Sequence, residues 1–259
     1  MTRASGFLWF VVLALFAGFM LGPLVLVVLF SFNDGALVSF PMGGFTLRWY
    51  AVLAGTPEFW NALSNSLLIA LPVAFLSTVT GTMTAFALVQ WRSRLAFPLL
   101  TMLSVPIMIP PLVVAIGLVV LYVRWLSVPL GLPAVIAGHV LVTQPFVALV
   151  VAARMATFDY TCLDAARDLG ASSAQAFFKV VLPQIRAAVI GAALIAFAIS
   201  LDEFIVTVFT IGSGNTLSTF VWGKMRTALD PSINAIATVI LVTTVGSAAL
   251  ALRATRYRG

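Results

Sequence analysis

Residues 187–211 read AAVIGAALIAFAISLDEFIVTVFTI. Apart from Asp202 and Glu203 the run is uncharged, and it exceeds the ~20 apolar residues that carry a helix across a hydrocarbon core. Five further runs share its character: Gly6 to Phe32, Asn61 to Val89, Leu99 to Val123, Leu132 to Ala153 and Ile233 to Leu252. Lipid offers a backbone no hydrogen bonds, so a spanning segment is a helix or part of a closed barrel, and long continuous apolar runs select the helix. The expectation is an all-α polytopic membrane protein with six transmembrane helices in one domain, residues 1–259. Composition agrees: 62% of the 259 residues are hydrophobic and 8% charged, against roughly a quarter charged in ordinary soluble domains.

The formal net charge of +6 reflects topology. The basic residues are scattered between the apolar runs and form no stripe, which argues against nucleic-acid binding. Placing the N-terminus inside assigns ten of them to the cytoplasm (Arg3, Arg92, Arg94, Arg154, Arg167, Lys179, Arg186, Arg253, Arg256, Arg258) and leaves four outside (Arg48, Arg124, Lys224, Arg226). Both termini are therefore expected in the cytoplasm. The first run follows Arg3 as a signal peptide would, yet it is too long and lacks a small-residue cleavage site, so it reads as retained. Trp49, Tyr50, Trp60 and Trp125 fall where interfacial anchors would. Pro72, Pro106, Pro110, Pro111 and Pro145 interrupt the backbone ladder inside apolar runs, as kinks or as the lining of a polar path. Gly18 and Gly22 form a GxxxG pair. A lone Cys162 and a lone His139 build neither a disulfide nor a metal site, and His139 reads as a hydrogen-bonded packing residue.

Arg154 to Arg186 breaks the apolar pattern between the fourth and fifth runs and is expected to lie in the cytoplasm. Thr161 with Asp164 three residues on resembles a helix N-terminus, and Gly170 a left-handed stop. Ser172 with Gln175 reads as a capping box opening a second helix, whose Ala174, Phe177, Phe178, Val181 and Leu182 share a face. Such a helix-turn-helix either docks a partner or lies on the bilayer, and periodicity does not choose between them.

At these residues the chain resembles a known family. Asp164-Ala165-Ala166, Gly170, Val180 and Leu182-Pro183 are similar in spacing to the "EAA" signature of ATP-binding-cassette importer permeases, with Asp for Glu and Val for Ile. The resemblance implies a type I importer permease fold in the bacterial inner membrane, with 154–186 as the coupling loop. Asp164, Ala165, Ala166 and Gly170 would contact or shape the surface that docks on an ATPase, and Leu182 and Pro183 would anchor the loop to the fifth span. The chain has no phosphate loop; its one Gly-Lys pair, Gly223-Lys224, is followed by Met225. It is thus expected to be no enzyme and to hold no cofactor, with ATP bound by two separate ATPase subunits. The resemblance adds a second permease subunit, giving a heterodimer, and an extracytoplasmic solute-binding protein.

Beyond the loop, Ser200-Leu201-Asp202-Glu203-Phe204, Gly212-Ser213-Gly214 and Asp230-Pro231 through Asn234-Ala235-Ile236-Ala237-Thr238 are similar to the smaller of the two polyamine permeases. The solute implied is a small cation, spermidine or putrescine. Independently, an acidic side chain in a span carries ~2.5–3.5 kcal/mol on insertion scales, so Asp202 and Glu203 should face a polar path or a partner. Adjacent helical positions diverge by about 100°, so one of them is expected to line the path; the family pattern favours Asp202. Against a strongly cationic solute, relatives commonly carry an acid after Pro110, where this chain has Pro111. Rival readings are an importer of an opine-like or phosphonate solute, and an ion-coupled secondary transporter. The latter needs acidic or basic relays on several helices.

Overall fold

The computed structural model describes residues 3–35, 40–90, 96–227 and 231–256. Arg92, Arg94, Asp230 and Arg258 lie outside the described residues. Among those described, the secondary structure is helical apart from one isolated antiparallel bridge between Asn33 and Phe45. The helices are α1 (Arg3–Phe30), α2 (Arg48–Ala54), α3 (Pro57–Gln90), α4 (Ala96–Met108), α5 (Pro111–Val120), α6 (Leu132–Met155), α7 (Thr161–Asp168), α8 (Ser173–Ala176), α9 (Leu182–Asp202), α10 (Ile205–Thr210), α11 (Leu217–Thr227) and α12 (Ser232–Arg256).

Among the described residues, four single helical stretches are long and apolar enough to cross a membrane: Trp9–Phe30, Pro57–Val89, Leu132–Met155 and Ser173–Asp202. The third apolar run does not form one straight helix. It bends by 101° between Met108 and Pro111, because Pro110 and Pro111 lack N–H groups and Pro110 takes extended angles (φ −54°, ψ 132°). Counted as one broken span, it is the fifth. The last run lies in α12 (Ser232–Arg256), which is apolar over Ser232–Gly246 among the described residues.

The chain divides into two compact units. In the first, residues 1–60 and 220–246, α1 is largely exposed over residues 9–26, and a Cβ added at Gly18 or Gly22 meets nothing. The segment after α1 folds back on itself. Asp34 N donates to Gly44 O (3.1 Å) and Thr46 N to Phe32 O (2.8 Å), while Asn33 Oδ1 accepts from Gly43 N (3.1 Å). Trp49 Nε1 donates to Asn33 O at 2.7 Å, and the Tyr50 hydroxyl lies 2.7 Å from Ser31 Oγ. Trp49 is consequently buried and holds this turn together, which corrects its reading as an interfacial anchor. Trp60 and Trp125 are exposed, as an anchor requires.

The second unit, residues 61–219 and 247–259, is built around α6. Val147, Val151 and Met155 of α6 are buried against Ala85 of α3, Ala192 and Ala196 of α9, and Leu163, Val181 and Ile185 of the loop region. Alanines at the contacts let the helices approach closely, which is how helices gain packing energy where lipid is as apolar as leucine. Gly81 is the tightest point. A Cβ there would sit 2.7 Å from Val147 Cγ1 and 3.1 Å from Ala148 N, so α3 and α6 would have to separate. Gly81→Leu is expected to destabilise the bundle by ~1–3 kcal/mol and to lower the midpoint of thermal unfolding in detergent, whereas Gly223→Leu, where a Cβ meets nothing, is expected to leave it in place.

Candidate functional site

Residues 159–175 form a closed local structure. Asp159 Oδ1 accepts from Thr161 N (3.0 Å) and Thr161 Oγ1 (2.7 Å), and these two bonds hold its carboxyl below the usual carboxylate range. Thr161 is therefore the first residue of α7 and not its cap; Asp159 does the capping from two residues earlier. At the other end Gly170 has φ +84°. Its N–H donates to Arg167 O (2.9 Å), and Ala171 N donates to Ala166 O (3.0 Å). This pair of bonds is the Schellman closure, which places a glycine in left-handed geometry. Ser172 and Gln175 then cap α8 reciprocally, with Ser172 N to Gln175 Oε1 at 3.0 Å and Gln175 N to Ser172 Oγ at 3.3 Å.

The expected apolar face of the second helix is corrected. Residues 177–181 form a π turn, with Leu182 N donating to Phe177 O, and the added residue rotates the helix beyond it. Ala176, Val181 and Ile185 are buried, with Phe177 and Leu182 packed beside them, whereas Ala174 and Phe178 are exposed. From the π turn onward the chain runs straight into α9, so the fifth span begins well before residue 187 and the loop's second half is continuous with it. Leu182 packs into the core cluster and Pro183 stands exposed in the first turn of α9. Arg154, at the end of α6, donates to Thr157 Oγ1 (2.8 Å) and Gln184 O (3.5 Å), bracing the base of the loop.

α7 is held by buried Leu163 and presents Asp164 and Ala165 outward, with Ala166 half-buried. Asp164 and Arg167 make an exposed ion pair of 3.8 Å, a contact worth little in water. Leu169, missed in the sequence, is 89% exposed at the tip of the turn. The signal was its place beside Gly170: the residue before a left-handed closing glycine ends the helix and escapes its packed face.

Asp202 and Glu203 sit at a break in the fifth apolar run. α9 ends at Asp202, Glu203 is extended at ψ 105°, and α10 begins at Ile205. The argument from 100° spacing therefore lapses, because the two residues do not share a helix. Glu203 is occupied: its Oε1 accepts from Val206 N (3.1 Å) and its carbonyl from Thr207 Oγ1 (2.6 Å), which together cap α10. Asp202 is exposed, with no hydrogen-bond or ion-pair partner among the described residues. His139 of α6 lies behind the break, 2.9 Å from Ser200 Oγ through Nδ1 and 2.9 Å from Thr207 Oγ1 through Nε2, in agreement with a hydrogen-bonded packing histidine. Its neighbour Gly138 makes the approach possible, since a Cβ there would lie 2.9 Å from Val206 Cγ1. Pro111 opens α5 at the 101° bend and is exposed. The Gly223-Lys224 pair lies within helix α11, not in a loop.

Residues 77–259 match the family described as binding-protein-dependent transport system inner membrane component. The chain belongs to that family. This inner membrane component is 34% identical over 239 residues to the putrescine transport system permease protein PotI of Escherichia coli (strain K12), covering 89% of this chain and 84% of that protein. It is 33% identical over 221 residues to the spermidine/putrescine transport system permease protein PotC of the same strain, covering 85% and 83%. It is 32% identical to PotC of Haemophilus influenzae (strain ATCC 51907 / DSM 11121 / KW20 / Rd), covering 90% and 91%. Its fold is similar to a chain in the crystal structure of a bacterial ABC transporter involved in the import of the acidic polysaccharide alginate, with a TM-score of 0.74 at 17% identity, over 96% of each chain. A bacterial alginate ABC transporter in complex with an alginate pentasaccharide-bound periplasmic protein matches with a TM-score of 0.72, at 17% identity, over 97% of this chain and 93% of that one. The inner membrane component is thus a multi-pass transport permease, and its family carries out transport and not covalent chemistry.

Proposed function

We propose that this permease is one of two membrane subunits of an ATP-driven importer of polyamines, spermidine or putrescine, with six crossings and both termini in the cytoplasm. The observation that carries the proposal is the identity of about a third, over nearly the whole chain, to permeases named for these solutes. Two ATPases dock on the cytoplasmic loop, and a binding protein delivers the solute outside. Asp164, Ala165, Ala166 and Gly170 shape the docking surface, with Leu169 as its apolar tip; Leu182 and Pro183 tie it to the fifth span. What supports this reading is a short helix capped at both ends and braced on the α6–α9 core, presenting small and acidic side chains outward. Asp202 is the group in the path, because its carboxylate has no partner among the described residues while that of Glu203 caps α10. ATP-driven closure moves the loop, and the two-state bundle passes that motion to the break.

The test compares uptake of labelled spermidine and putrescine by cells carrying the complete transporter with uptake by cells lacking only this subunit. Loss of uptake on deletion supports the polyamine assignment. Persistent uptake, with the assembled complex still hydrolysing ATP, moves the solute to a less basic compound and makes Pro111, in place of an acid, the first residue to exchange.

A further inference from the structure

A line of buried hydroxyls crosses the second unit from α3 to α10, and counting its protons gives each bond a direction. Thr143 Oγ1 donates to His139 O at 2.8 Å. Its single proton is thereby used, so Ser77 Oγ, 2.6 Å away, donates to it. Thr207 Oγ1 likewise uses its proton on Glu203 O. It therefore accepts from His139 Nε2, which places the proton of the neutral ring on that nitrogen. Nδ1 is left as an acceptor, and Ser200 Oγ donates to it. His139, Ser200 and Thr207 are all buried, and each polar atom in the line has its partner.

The ring joins two elements that the backbone does not hold together. α9 has ended and α10 has not begun at residues 203–204, so no helical ladder sets the angle between them. Ser200 belongs to the last turn of α9 and Thr207 to the first turn of α10, and one flat, rigid ring bonds both. We propose that His139 is a positioning residue for transport: by clamping Ser200 and Thr207 it fixes the break, and with it the place of the Asp202 carboxylate. This rests on Asp202 being the group in the path. A histidine that only filled space would be replaced by phenylalanine without consequence for Asp202.

The experiment uses the complete transporter in proteoliposomes with saturating spermidine-loaded binding protein, and reads spermidine taken up per ATP hydrolysed. That ratio does not change when fewer complexes fold. His139→Phe removes both ring bonds and keeps the bulk; with two interhelical hydrogen bonds lost, the ratio is expected to fall about tenfold. His139→Gln restores a donor and an acceptor and is expected to recover most of it. In an Asp202→Asn background His139→Phe is expected to add less than a twofold further loss, since it acts through that carboxylate. Equal losses in both backgrounds, or an unchanged ratio, overturn the proposal. If Asp202→Asn alone leaves the ratio unchanged, the path reading of Asp202 has failed and the clamp falls with it. Should the phenylalanine chain not assemble, Ser200→Ala and Thr207→Val remove the ring's partners one at a time, and an unchanged ratio in both overturns the proposal equally.

Discussion

Gly170→Val is expected to leave the chain inserted and assembled while uptake falls by about tenfold or more. The reason is conformational and not steric. A Cβ at Gly170 meets nothing within 4 Å, but the residue sits at φ +84°, and a left-handed conformation carries ~1–2 kcal/mol for an L-residue, with a β-branched side chain at the upper end. The chain relieves that strain by unwinding the turn that places Ala166, Arg167 and Ala171 in the closing bonds, which displaces Leu169 and tilts α7. In the proposed assembly, with the nucleotide sites on a separate ATPase, ATP hydrolysis at its basal rate is expected to survive and its stimulation by loaded binding protein to be lost. Gly170→Asn is the control, since asparagine tolerates left-handed geometry, and it is expected to retain near-normal uptake. Equal loss in the valine and asparagine variants would falsify the conformational account.

Asp202→Asn is expected to reduce spermidine transport per ATP about tenfold, with assembly and ATP hydrolysis within twofold of the parent. A hydrogen bond to a charged group is worth ~1.5–3 kcal/mol, and tenfold corresponds to about 1.4 kcal/mol. Glu203→Gln is expected to do far less, because an amide oxygen still accepts from Val206 N. Glu203→Ala removes the cap of α10 and should instead lower the thermal unfolding midpoint. Measuring uptake and unfolding on the same three proteins separates the two carboxylates. If Glu203→Gln abolishes uptake and Asp202→Asn does not, their roles are the reverse of those assigned.

Much of this was legible in the residues. The apolar runs marked α1, α3, α6 and α9 because lipid leaves a polar backbone no alternative to the helix. Gly170 and the Ser172–Gln175 box were readable because caps are local: their partners lie within five residues. What escaped was set by tertiary or non-periodic geometry. The π turn at 177–181 shifts the buried face from Ala174 and Phe178 to Ala176 and Ile185, and no 3.6-residue template carries that extra residue. The break after Asp202 lies inside a continuous apolar run, where composition alone reads one helix. Its stabilisers, Thr207 on Glu203 and His139 on Ser200, come partly from sixty residues away. Trp49 looked like an anchor because its partner is a backbone carbonyl, Asn33 O, which no side-chain pattern announces.

The closures of α7 have a thermodynamic consequence for the docking proposed above. Asp159 satisfies the Thr161 amide and hydroxyl at the start of α7, the Schellman bonds satisfy the Ala166 and Arg167 carbonyls at its end, and Leu163 fixes it to the core. A binding segment that is already ordered gives up little conformational entropy on association, so the contact can be small and still be formed and released in every cycle. A stiff element also transmits displacement without absorbing it. In the docking proposed above, an ångström of movement at Leu169 would arrive at the foot of α9 as movement, not as slack taken up by a soft connector.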